Sequence, residues 1–155
     1  MNRFSSLPVS WLQSGHASER LGQFYDAVMS AGSVLTQEHN AVFSDLSICA
    51  MDARLGQSPT ILFVGSQSSQ RSVFGDDWAD DPSHRGRTTD NRLEEDASAG
   101  YVLAQTGSPV YQIAETRVHG THMTYERLIL PIRLDHRKPP SLLAYMGYVL
   151  HRSDQ

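Results

Sequence analysis

The sequence predicts one α+β domain: a five-stranded antiparallel sheet with helices over one face and an N-terminal helical extension. Three observations carry this. The last third of the chain holds three apolar-rich runs of strand character, Ser108–His119, His122–Asp135 and Ser141–His151, separated only by short turn material. Strands joined that tightly pair as an antiparallel meander. Two further strand-like runs, Phe43–Arg54 and Thr60–Val64, flank the turn Gly56-Gln57-Ser58-Pro59 and form a second hairpin. Between the two groups, Asn91–Gln105 repeats with a helical period. A half-sheet of this size needs cover, and the first hundred residues must supply it.

In chain order, residues 1–17 show no clear period. Ser18 is suited to cap a helix, and Leu21, Phe24, Tyr25, Val28 and Met29 then share one helical stripe, with Gly32 as its stop. In Phe43–Arg54, Leu46, Ile48 and Ala50 alternate with Asp45, Ser47 and Cys49. Thr60–Val64 is short and apolar. Residues 65–90 read as short helical turns and loops. In the longer helix, Asn91 and Glu94 resemble a capping box, and Glu94, Glu95 and Asp96 suit the positive end of the dipole. Leu93, Ala97, Tyr101 and Ala104 form its buried stripe, and Gly107 ends it. The organisation is thus an extension over residues 1–42 with its amphipathic helix, then a domain over 43–151.

Composition removes several classes. A net charge of −4 argues against nucleic acid as partner, because phosphate binding needs concentrated positive charge. One cysteine, Cys49, allows neither an internal disulfide framework nor a cysteine-based zinc site. No apolar run reaches the roughly 18 residues that span a bilayer, and the first residues are a poor signal peptide. A cytoplasmic protein is expected, with no membrane partner.

The element order and lengths resemble the PAS family. Thr60-Ile61-Leu62-Phe63-Val64-Gly65 followed by Ser69-Gln70-Arg71-Ser72-Val73-Phe74-Gly75 is similar to the PAS second strand running into a short helix that ends at glycine. Tyr125–Ile132 resembles the fourth strand and Leu142–Leu150 the fifth. Gly65 stands where an asparagine is common. The resemblance covers residues 43–151. It implies a pocket between the helices and the inner sheet face, and a homodimer through the Leu21–Met29 helix and the outer face. It carries over no cofactor. Flavin-binding relatives place a reactive cysteine on the helix after the second strand, whereas Cys49 lies on the first strand. Haem-binding relatives present a histidine from the long helix, and Asn91–Gln105 has none. With no output module attached, a separate output protein is expected.

A two-residue loop at Gly120-Thr121 would set Arg117 opposite Thr124, Glu115 opposite Glu126, Ile113 opposite Leu128 and Tyr111 opposite Leu130, all on one face. Two opposed carboxylates destabilise a sheet unless neutralised. Either Glu115, Glu126 and Arg117 form the polar end of a ligand pocket, or they lie at a solvent rim with Arg117 satisfying both acids. A one-residue change in the loop would break the pairing. Phe74 and Trp78 stand near the mouth of the implied pocket, and Tyr101 on the helix stripe. The candidate ligand residues are therefore Phe74, Trp78, Tyr101, Tyr111, Glu115, Arg117 and Glu126. His119 and His122 would be neighbours, but two ligands are not a metal site, so polar turn flanks are the expectation. Asp76, Asp77, Asp80 and Asp81 lack the oxygen spacing of a calcium loop. Both faces of the last strand are largely apolar, so the outer sheet face needs cover, from the Leu21–Met29 stripe or from a second subunit.

The functional expectation is a stand-alone PAS-like sensory or small-molecule-binding module without catalysis, signalling through a partner or its own dimer. One alternative is a structural interaction domain with a filled core. Another is a small enzyme with Glu115 or Glu126 as general base.

Overall fold

The computed structural model describes residues 2–35, 44–74, 79, 91–118 and 120–154. In chain order the elements are β1 (Arg3–Ser6), a 3₁₀ turn (Val9–Leu12), α1 (Glu19–Ser30), β2 (Leu46–Ala50), β3 (Ile61–Val64), α2 (Ser69–Phe74), α3 (Asn91–Ala104), β4 (Val110–Val118), β5 (Thr121–Ile132) and β6 (Leu142–Asp154). All named strands pair antiparallel in one sheet of order β1-β4-β5-β6-β2-β3. The meander β4-β5-β6 and the hairpin β2-β3 lie where the local patterns place them. The hairpin docks on the meander through β2 and β6, with Leu46 opposite Met146 and Ala50 opposite Leu142.

The sheet has six strands rather than five. The added strand is β1, in which Phe4 pairs with Ala114 and Ser6 with Gln112 on the outer edge of β4. Its sequence, Arg-Phe-Ser-Ser, has one apolar residue and no alternation to reveal it. Its order comes from a distant partner strand, not from its own residues.

The β4–β5 register also differs from the sequence expectation. Val118 pairs with Thr121, Arg117 with His122, Glu115 with Thr124, Ile113 with Glu126 and Tyr111 with Leu128. The turn lies one residue earlier than Gly120-Thr121, and Gly120 adopts φ 81°, where a side chain would strain the backbone. Glu115 and Glu126 therefore do not oppose each other. The displacement moves every partner by two residues, so the residues expected to share a face still do.

Helices cover both faces of the sheet, not one. On one face α3 packs over a core that includes Tyr101, Ala104, Val110, Ile129, Leu143 and Tyr145. On the other, α1 and the 3₁₀ turn bury Leu12, Leu21, Phe24 and Val28 against Tyr111, Leu128, Leu130, Ala144 and Met146. Ser18 caps α1, its hydroxyl accepting from the Leu21 N–H. The apolar stripe through which a homodimer was expected is thus buried against the chain's own sheet. Leu21, Phe24 and Val28 have no exposed surface left for a second subunit. With β1 paired and α1 docked, residues of the N-terminal extension belong to the same packed fold as the sheet. Among the described residues, no helix is long and apolar enough to cross a membrane.

Candidate functional site

On the α3 side, Arg127 is the feature from which the site is built. Strand alternation puts it between Tyr125 and Ile129 on the face that α3 covers, and it is 1% exposed. Its Nε donates to Gln112 Oε1 at 2.8 Å and its Nη2 to the Ala97 carbonyl at 3.0 Å. The guanidinium carbon lies 4.3 Å from the Phe4 ring centroid and 5.3 Å from that of Tyr101, so the cation is in reach of two aromatic faces. Gln112 Nε2 donates onward to Ser6 Oγ. One guanidinium thereby connects β1, β4, β5 and α3.

The helix can come this close because residue 100 is glycine. A Cβ there would fall 2.2 Å from Arg127 Nη2 and 2.9 Å from Gln112 Oε1. Side-chain bonds also fasten α3 to the β2–β3 connection. Ser58 N–H donates to Glu94 Oε1, Gly56 N–H to Ser98 Oγ, and Gln105 exchanges two bonds with the backbone of Ala53.

Beside Arg127 lies a cavity of about 40 Å³, with Tyr101, Tyr125, Tyr145 and Gln70 on its polar side and Phe74, Leu93, Met123 and Val149 among its apolar walls. It has room for a group of a few heavy atoms, since one water needs roughly 10–15 Å³ on this measure. The Gln70 side-chain oxygen is buried with no donor among the described residues. Tyr101 and Tyr145 stack at 6.1 Å, and Tyr145 is hydrogen-bonded with Ser69. Burial pushes the phenols of Tyr101, Tyr125 and Tyr145 upward, and the positive charge of Arg127 pulls each part of the way back. They remain neutral hydroxyls at ordinary pH. Burial, with a smaller push from Asp52, lifts the Cys49 thiol to about 12, so it is no ready nucleophile.

On the α1 side, Glu126 is 3% exposed. Both its oxygens accept from the Ser18 N–H at 3.1 Å, and Tyr111 Oη donates to Oε1 at 2.6 Å. The carboxylate therefore holds the start of α1, where the helix dipole favours negative charge. Burial, then the bond to Glu126, pushes the Tyr111 phenol up. A solvent-facing groove beside Glu126 is lined by His16, Ser18, Arg20, Ile113, Tyr148 and Leu150.

The candidate ligand residues are thus divided. Phe74 and Tyr101 line the α3-side cavity. Tyr111, Glu115, Arg117 and Glu126 lie on the opposite face of the sheet. Glu115 is exposed at the rim, 3.7 Å from Arg3, and Arg117 is exposed beside His122. Arg117 does not bridge the two glutamates, because the register separates them. Trp78, Asp76, Asp77, Asp80, Asp81 and His119 lie outside the described residues. Among those described, no three His, Cys, Asp or Glu side chains gather as metal ligands would. Sequence reasoning passed over Arg127 and Gln70. The available signal was Gly100, a glycine inside a helix, which marks a close approach.

Compared with protein-family models, curated proteins and solved structures, the chain matches none.

Proposed function

We propose that this protein is a PAS-like sensory or small-molecule-binding module without catalysis, and that its ligand chamber is the cavity between α3 and the sheet. The observation that carries this reading is the cavity itself: it lies between a helix and the sheet, is mostly apolar, and has a few polar side chains in its lining. From β2 onward, the element order of two strands, helices and then three strands agrees with the resemblance. The bonds from α3 to the β2–β3 connection supply a route by which an occupant biases the surface. A ligand that shifts α3 also moves Gly56, Ser58 and Ala53, and a partner protein or a second copy reads the change. Glu126, with both oxygens engaged by Ser18 and Tyr111, is an anchor in this reading and not a general base.

The test is ligand-observed NMR with a library of small fragments against the wild type and Ala97→Leu. Ala97 lines the cavity, and a leucine there fills it. Fragments that bind the wild type and lose binding to a folded Ala97→Leu variant are the expected result. If no fragment makes that distinction, the cavity is only a packing gap and the filled-core interaction domain is the correct description.

A further inference from the structure

We infer that the chamber takes a short-chain monocarboxylate, held on the guanidinium of Arg127; this rests on the reading of the cavity as a ligand site. The argument begins with charge. A guanidinium does not shed its proton in a protein, so burial leaves it charged. Buried charges are paired or coordinated, because an isolated one is costly to remove from water. Arg127 is 1% exposed, yet it forms no ion pair among the described residues. Its hydrogen-bond acceptors are a neutral amide oxygen and a carbonyl. The rings of Phe4 and Tyr101 offset part of the cost but carry no net charge. The nearby buried acid of β5, Glu126, is on the other side of the sheet and already engaged.

Arg127 is one of the residues that line the cavity. An arginine has five N–H groups, and two are accounted for by Gln112 and Ala97. A planar fork with free N–H groups matches a carboxylate in geometry as well as in sign. Gln70 also lines this cavity, and its oxygen is buried with no donor among the described residues. A half-turn of that amide presents N–H to an anion. Size and lining then narrow the class. About 40 Å³ admits a few heavy atoms, and Leu93, Met123, Val118 and Val149 offer an apolar seat for a short hydrocarbon tail. A single guanidinium suits a single negative charge. A phosphate would bring more charge and more acceptors than this wall has donors.

The probes are sodium propionate, its uncharged isostere propionamide, and sodium chloride at matched ionic strength. Thermal unfolding and NMR of isotope-labelled propionate read the binding. The expected result is a saturable rise in melting temperature with propionate, absent with propionamide and with chloride. Arg127→Met removes the charge while keeping volume. It is expected to retain the fold and to weaken propionate at least about tenfold, the loss typical of a charge-assisted bond. If that variant does not fold, the contrast between propionate and propionamide on the wild type decides alone. Equal binding of propionamide, an equal shift with chloride, or unchanged propionate affinity in Arg127→Met overturns the inference. Should propionate fail while neutral fragments still separate wild type from Ala97→Leu, the carboxylate falls and the chamber stands. Should neither bind, both fall.

Discussion

Gly100 sits within a helix, a position where glycine ordinarily weakens the structure, and Arg127 is the reason it is there. Replacing a helical glycine by alanine usually stabilises by about 0.5–1 kcal/mol. Here the new Cβ would stand 2.2 Å from a guanidinium nitrogen whose group is held by hydrogen bonds to Gln112 and Ala97 and by two aromatic rings. Overpacking of this kind costs about 1–3 kcal/mol. Gly100→Ala is therefore expected to destabilise by about 1–2 kcal/mol in urea unfolding, with part of the loss recovered when Arg127→Met is added. A stabilised Gly100→Ala would mean that Arg127 does not occupy this seat. The same pair shows where sequence reading stops at this scale. The stripe Leu93, Ala97, Tyr101 and Ala104 is periodic and so legible, and all four are buried. A buried arginine breaks the apolar–polar alternation that marks an inward face, so alternation alone does not point to it.

Among the elements, α1 depends on a contact far away in sequence. Its apolar stripe supplies the packing, but its start is fixed by the carboxylate of Glu126, which also accepts from Tyr111. Glu126→Gln keeps one acceptor oxygen and loses the charge. A cost of about 1–3 kcal/mol is expected, together with faster hydrogen exchange in Glu19–Ser30 than in the sheet. Unchanged stability and exchange would make Glu126 a bystander. The stripe and Ser18 cap of α1, the β2–β3 hairpin and the three long strands were all legible because each is written in local period and turn residues. What escaped was non-local. β1 exists only because the edge of β4 receives it, and the β4–β5 register depends on which residue takes the positive φ, here Gly120 at the second turn position and not the first. That single step separated Glu115 from Glu126 and dissolved the carboxylate pair. The assignment of one face to the helices failed for a related reason. The two-sided apolar character of β6 announced a second cover and offered the Leu21–Met29 stripe or a second subunit for it, and α1 provides it; local pattern alone did not choose between the two.

For the molecule as a whole, a sheet closed on both faces places ionisable but uncharged groups deep inside. Burial raises the phenols of Tyr101, Tyr111, Tyr125 and Tyr145, and it lifts the Cys49 thiol from 9.0 to about 12. In the unfolded chain these groups return to their ordinary values, 9.0 for the thiol and 10.0 for the phenols. The sign follows from proton binding. Between the unfolded and folded values the native state keeps protons that the unfolded state has released. Rising pH in that window therefore favours unfolding. Stability contributed by these groups is complete below about pH 9 and declines as pH climbs past each unfolded value, by about 1.4 kcal/mol per pH unit for each group titrating. Urea midpoints measured from about pH 8 to about pH 11 should hold level and then fall with increasing steepness. The tyrosinate absorbance of the four buried phenols should appear together with the loss of structure, not ahead of it. A midpoint that stays flat across this range would mean that water reaches the phenols, and with it the cavity beside Arg127; a guanidinium so hydrated would no longer need an anion to neutralise it.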